Sequence, residues 1–260
     1  MAQAKLRFTI LGFSLILAIL SVGSLGLAAQ SQSAADDDDT LEQRLPPGIK
    51  IRAFIHRPRV VQHNHLGTCT TTEPNPTATD YEETGWHLPA AGITWKLSES
   101  TVPASVGLSG AYNAVQNSFA TWANADNGKG FSGGRQTNAK NTRLDGTNAI
   151  MWKRLAPSTI GVTYVWYRTS TNEVVEIDTA FNSRYPWAIF DSNAGECQSS
   201  PDAYDVQNIA THEFGHWVGL DDLYSNSDKD LTMYGFGAGG ELKKRTLAAG
   251  DIDGVNAVAP

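Results

Sequence analysis

Residues 212–222 read His-Glu-Phe-Gly-His-Trp-Val-Gly-Leu-Asp-Asp, and this run constrains the fold more than any other part of the chain. His212 and His216 are four residues apart, so on a helix they project from one face, one turn from each other. Two imidazoles at that spacing can grip one Zn²⁺. Glu213 lies between them in sequence, where a carboxylate can serve as general base toward a water at the metal. Gly219 lets the chain leave the helix in a left-handed conformation. Asp222, three residues further on, can then swing back as a third ligand. The chain must therefore build a helix that ends near 219 and a return loop that faces it.

Other readings of the same residues are blander. Two histidines can be satisfied on a helix surface, with Glu213 and Asp222 as ordinary exposed acids. A closed structural zinc site is a second alternative, but such sites use four protein ligands and favour cysteine. This run supplies three ligands and no cysteine, which leaves a position for water. An open position beside a glutamate is a catalytic arrangement.

The rest of the chain reads as α/β. Residues 92–98 fit a strand, and residues 103–124 fit a helix that starts at Pro103 and carries Val106, Ala111, Val115, Phe119 and Trp122 on one side. Residues 147–153, 159–168 and 173–181 are β-rich. The aromatic residues of 164–167 could form a carbohydrate platform, though they are ordinary strand formers. Asp205 is placed to cap the helix that carries His212. Asp178, Asp191, Asp202 and Asp205 could include calcium ligands, but no calcium-loop spacing joins them. Capping and surface roles fit them better.

The motif resembles the long zinc sequence of the metzincin proteases, with Asp222 where most members have a third histidine. That variant is similar to the snapalysin type. Leu231-Thr232-Met233-Tyr234-Gly235 resembles a matrixin-type methionine turn, with Gly235 in place of the usual proline. Residues 247–255 resemble the closing matrixin helix, and residues 92–97 and 114–122 resemble the first strand and first helix. The resemblance covers about 85–260 and is specific at 212–222 and 231–235.

It implies a metzincin-type zincin: a twisted mixed sheet, a long helix, the zinc helix, and a small C-terminal part with the Met turn and a closing helix. It implies one catalytic Zn²⁺ on His212, His216 and Asp222, with Glu213 as the catalytic base and Met233 packed beneath the metal. Tyr234 is not assigned as a ligand, and Asp221 is expected to face solvent or a neighbouring backbone group. A strand near 159–165 would line the cleft, and an extended protein or peptide substrate would pair with it. The second, structural zinc of many matrixins would need histidines between His87 and His212; none exists, so that site is expected to be absent. A rival from another class is a zinc-binding or adhesion module on the same scaffold that does not cleave. A zinc hydrolase of non-peptide amides is a third reading.

The N-terminal run leads to the expectation of an exported chain. Lys5 and Arg7 precede an almost wholly apolar run from Phe8 to Leu20, and small residues follow. This reads as a signal peptide over 1–30, with cleavage between 29 and 35, or alternatively as an uncleaved anchor. No stable membrane association is expected after cleavage. Residues 31–84 read as a leader, linker or short pro-segment, with a short apolar strand at 49–55. His56, His63 and His65 fall here, and solvated histidines are the simplest account of the His63/His65 pair. The only two cysteines are Cys69 and Cys197. In an exported chain they are expected to pair; the alternative is that Cys69 blocks the zinc as a thiolate.

The net charge is −7, much of it in the solvated run Asp36 to Asp39. No basic stripe suggests nucleic acid. A monomer is expected.

Overall fold

The computed structural model describes residues 45–59, 78–125, 130–135, 137–191 and 202–258. The signal sequence, the acidic run, His63, His65, Cys69 and Cys197 lie outside them, and so does the expected disulfide.

The architecture is mixed α/β. Nine strands occur among the described residues: β1 (Ile49–Pro58), β2 (Ile93–Leu97), β3 (Phe131–Arg135), β4 (Asn148–Lys153), β5 (Gly161–Arg168), β6 (Val174–Asn182), β7 (Trp187–Ala188), β8 (Tyr204–Asp205) and β9 (Phe236–Gly237). Three α-helices accompany them among the described residues: α1 (Leu108–Ala125), α2 (Val206–Trp217) and α3 (Ala249–Ala257). Seven strands form one sheet in the order β3-β2-β4-β6-β5-β1-β9, and β7 pairs with β8. Pairing is parallel from β3 through β6 and at β1–β9, and antiparallel at β6–β5 and β5–β1.

Strands β4 and β6 are buried almost throughout, as expected for strands covered on both faces. Helix α1 buries Ala111, Ala114, Val115, Ser118, Phe119 and Trp122, one stripe at helical spacing. That stripe packs on α2. The Phe119 and Phe214 rings stack with centroids 3.9 Å apart, and Trp122 Nε1 donates to the Thr211 carbonyl at 2.7 Å.

Helix α1 begins five residues later than Pro103 suggested. Pro103 opens a turn closed by the Val106 and Gly107 amides, and Gly107 holds a positive φ of 69°. That conformation interrupts a helix, so the regular hydrogen bonds start beyond it.

Residues 49–58 extend an expected element. They lie in the stretch read as leader, linker or short pro-segment, and the strand expected at 49–55 runs on to Pro58 as an inner member of the main sheet. Residues 78–84 also pack against the domain. The Gly250 amide donates to the Ala78 carbonyl, and Thr84 donates through both its amide and its hydroxyl to the Gly219 carbonyl. The ordered body therefore includes residues on the N-terminal side of the boundary expected at 85.

Candidate metal centre

Helix α2 carries the centre. Asp205 caps it, accepting from the Asn208 amide at 2.8 Å, and Arg245 grips the same carboxylate. His212 and His216 follow on one face, both fully buried. At the helix end Gly219 adopts φ 99°, a conformation that strains other residues. A Cβ there would also lie 2.9 Å from the Trp86 carbonyl oxygen. The turn lets the chain double back, and Asp222 returns to the imidazoles.

Each histidine is oriented by its backbone. His212 Nδ1 lies 2.8 Å from the Thr232 carbonyl, and His216 Nδ1 lies 2.8 Å from the Leu220 carbonyl. A carbonyl can only accept, so each Nδ1 carries the proton and each Nε2 presents a lone pair. The two Nε2 atoms approach Asp222 Oδ1 to 3.2 and 3.7 Å. None of these three atoms has a hydrogen-bond partner. Burial lowers the pKa of His212 well below the usual imidazole range and that of His216 to about 4. Both rings are thus neutral, the form that binds metal. Burial raises the Asp222 pKa, which a cation at this point would reverse.

Three buried acceptors converge here, and a shared cation could satisfy all of them. The ligand-capable atoms of His212, His216 and Asp222 all lie within 4.8 Å of one another. Two imidazoles and one carboxylate suit Zn²⁺. The other Asp222 oxygen accepts from Tyr224 Oη at 3.2 Å. Asp221 points elsewhere. It accepts the Asp222 amide at 2.8 Å and pairs with Arg52 of β1.

Glu213 is buried beside the cluster and splits its oxygens between two tasks. Oε2 accepts from Thr163 Oγ1 at 2.6 Å, while Oε1 has no hydrogen-bond partner. Thr163 lies on β5 and contacts Thr179 Oγ1 at 2.8 Å. Burial raises the Glu213 pKa well above the ordinary carboxylate range, and the Thr163 hydrogen bond opposes that shift. Space for the carboxylate comes from Gly161, where a Cβ would lie 2.4 Å from Oε1.

The floor is the 231–235 turn. Met233 is buried, and a Cβ on Gly215 would sit 2.1 Å from its sulfur. The chain there is pinned from three sides. Asp251 accepts the Thr232 and Met233 amides, Lys244 Nζ donates to the Thr232 and Tyr234 carbonyls, and the Leu223 amide donates to the Met233 carbonyl. Lys244 is fully buried, which lowers its pKa to about 8. The Thr232 carbonyl thus receives both His212 and Lys244, tying the first histidine to the turn.

One neighbour lay outside the site as read from the sequence. His56 on β1 is fully buried, its ring 3.8 Å from that of His212 and its Nδ1 3.7 Å from Glu213 Oε1. Neither ring nitrogen meets hydrogen-bond geometry with a partner, and burial lowers the His56 pKa well below the usual imidazole range, opposed by the nearby Phe236 backbone. The alternation of 49–56 was the available signal. Arg52, Phe54 and His56 share one face of any strand built there.

Protein-family models and curated proteins contain no significant match to this chain. Function is therefore read from the site itself.

Proposed function

We propose that the protein is an exported zinc-dependent endopeptidase of the metzincin type, with His212, His216 and Asp222 as zinc ligands and Glu213 as general base. One observation carries the reading. The two unpartnered Nε2 atoms and Asp222 Oδ1 converge in a buried site, beside a glutamate whose one free oxygen faces the same region. An arrangement of three protein ligands leaves a coordination position open for chemistry.

Zinc bound there supplies Lewis acidity, which acidifies a water and polarises a carbonyl. The chain's own part is proton handling and positioning. Glu213 Oε1 takes the proton lost by the water that attacks the scissile carbonyl carbon. As the C–N bond breaks, Glu213 returns that proton to the departing amine. Thr163 keeps the other oxygen fixed, so the base cannot rotate away. Thr232 and Leu220 hold the imidazoles in the one tautomer that offers Nε2 to a metal.

The apolar N-terminal run supports export. Among the described residues no helix is long and apolar enough to cross a membrane. Protein or peptide substrates follow from the resemblance at 212–222 and 231–235.

The test is zinc content and casein cleavage by the purified protein. One zinc per chain and cleavage abolished by a chelator and restored by Zn²⁺ are expected. The burial of all four site residues favours the rival reading, a zinc module that does not cleave. Full zinc loading with no cleavage under any activating treatment would decide for that rival.

A further inference from the structure

Lys244 is fully buried beneath the metal centre. Lysine is seldom fully buried unless a carboxylate pairs with it. Its hydrogen-bond partners are instead main-chain carbonyls, those of Thr232 and Tyr234 on either side of Met233. The backbone that carries it is fastened to helix α2. The Lys244 amide donates to Asn208 Oδ1 at 2.8 Å, and its neighbour Arg245 holds the Asp205 cap. The side chain runs from there to the floor of the site.

Bracing the turn does not call for a charge. Asp251 already holds the Thr232 and Met233 amides. A neutral donor could serve the two carbonyls without the cost of burying an ammonium. The ligand set explains the charge better. Two neutral imidazoles and one carboxylate leave a divalent ion with a single net positive charge, whereas three imidazoles would leave it with two. One ammonium makes up the difference.

The charges around Lys244 come from several elements. Burial lowers its pKa to about 8, which leaves it charged at neutral pH. Glu241, Asp222 and Asp251 favour the ammonium, and Lys243 opposes it. Its charge in turn reaches His56, His212, Glu213 and Asp222.

A bonded path joins Lys244 to the first histidine as well. The Thr232 carbonyl lies 2.8 Å from His212 Nδ1 and accepts from Lys244 Nζ at 3.0 Å. A carbonyl that also serves an ammonium is a poorer acceptor for the imidazole. His212 then gives less electron density to a metal than a histidine with an unshared acceptor. Field and hydrogen bond act in the same direction.

We propose that Lys244 is the counter-charge of the Asp222 ligand, a positioning residue that weakens zinc binding and in exchange keeps the attacking water acidic. This inference rests on the zinc-peptidase reading above.

Two substitutions in the full chain test it. Lys244→Met keeps the length and removes both charge and donors. Lys244→Gln removes the charge and keeps a neutral donor. Zinc affinity is read by competition with a chelator, and the visible spectrum of the Co²⁺-substituted protein is followed as the pH is raised. Across two hydrogen bonds and an imidazole ring, about 10 Å, a unit charge shifts a pKa by about one unit at an effective dielectric constant of about 20. The Co²⁺ spectral transition should therefore move up by about one pH unit in both variants, and both should hold zinc about tenfold or more tightly. Casein cleavage at neutral pH should fall by about tenfold and recover as the pH is raised.

A lysine that only braces the turn predicts the opposite sign. His212 would be held more loosely, zinc would bind more weakly in Lys244→Met with rescue in Lys244→Gln, and the spectral transition would stay in place. That result would overturn the proposal. If neither variant folds, nitrogen NMR of the Lys244 side chain in the zinc-loaded, unsubstituted protein reads the charge directly. An ammonium at neutral pH would support the counter-charge, and a neutral amine would refute it. Tighter zinc and a raised transition, without hydrolysis of any peptide, would uphold the role of Lys244 and overturn the peptidase reading. Zinc absent from every form would overturn both.

Discussion

Two buried acidic clusters, one on β6 and one on α2 with the loop that follows it, have opposite characters. Glu176 and Asp178 on β6 are as deeply buried as Glu213 and Asp222. Burial raises the Glu176 pKa, and it raises that of Asp178 to about 8. Yet every oxygen of this pair is occupied. Glu176 accepts the Asp145 and Gly146 amides, and Asp178 accepts those of Ala149 and Arg143 at 2.8 and 2.9 Å. The loop that enters β4 is hung from these carboxylates. At the metal centre, acids of similar burial leave Glu213 Oε1 and Asp222 Oδ1 unpartnered, together with nitrogens of three histidines. Burial and a shifted pKa therefore do not distinguish structure from chemistry here. The count of unpaired acceptors does, because a buried acceptor without a donor costs free energy unless something absent from the chain supplies the partner. The same test takes Asp178 out of the calcium candidates, since backbone amides use both its oxygens.

The sharpest way to break this contrast is Asp222→Ala. It leaves only two protein ligands, so zinc and casein cleavage should both be lost. Asp221→Ala should keep zinc, because Asp221 binds Arg52 and a backbone amide instead. Zinc retained at full stoichiometry after dialysis of Asp222→Ala would refute the ligand assignment.

Glu213→Gln comes next. The amide can still accept from Thr163 but cannot take a proton. Zinc should stay, and cleavage should fall by about 10²–10⁴-fold, the usual contribution of general acid–base catalysis. Retention of a third of the activity in matched preparations would show that Glu213 is not the base.

Asp178→Ala tests the other cluster. It strands the Ala149 and Arg143 amides, and it also relieves the cost of a buried acid. A net stability loss of about 1–3 kcal/mol is expected, seen in urea denaturation, with zinc content unchanged. Loss of zinc from this variant would mean that the two clusters are one functional unit.

What could be read from the chain was local. The spacing of His212 and His216, the break at Gly219 and the return to Asp222 lie within eleven residues, where helix geometry sets the distances. The Asp205 cap was legible for the same reason. His56 was not. It stands 156 positions before His212, and only the pairing of β1 with β5 brings the two rings together. A short alternating strand in a proline-bearing stretch reads equally as linker, because sequence says nothing of which edge it will join. Thr163 sat within a β-rich run that was correctly located, but its meeting with Glu213 depends on how α2 crosses the sheet. Tyr224 and Lys244 carry no motif, and Asp251 was legible only as part of the stretch 247–255. Tyr224 holds the Asp222 carboxylate, while Lys244 and Asp251 bind backbone groups of the 232–234 turn, positions that exist only in the folded chain.

The smallest expected effect is the most specific to the base. Thr163→Val preserves shape and removes the hydroxyl that donates to Glu213 Oε2. Thr179 keeps a partner, since Trp217 Nε1 still donates to its hydroxyl oxygen at 2.9 Å, so the fold should hold. Hydrogen bonding from Thr163 favours the ionised glutamate against the burial that disfavours it. Removing that donor must raise the Glu213 pKa further. A base works only when ionised, so the acid limb of the kcat/KM profile should move to higher pH. Bound zinc favours the ionised form in both proteins and does not change this sign. A loss of about tenfold at neutral pH, equivalent to about 1.4 kcal/mol, should shrink as the pH is raised and Glu213 ionises. A variant equally impaired at every pH would show that Thr163 positions the glutamate without tuning its proton affinity. An acid limb displaced to lower pH would contradict the hydrogen-bond assignment itself.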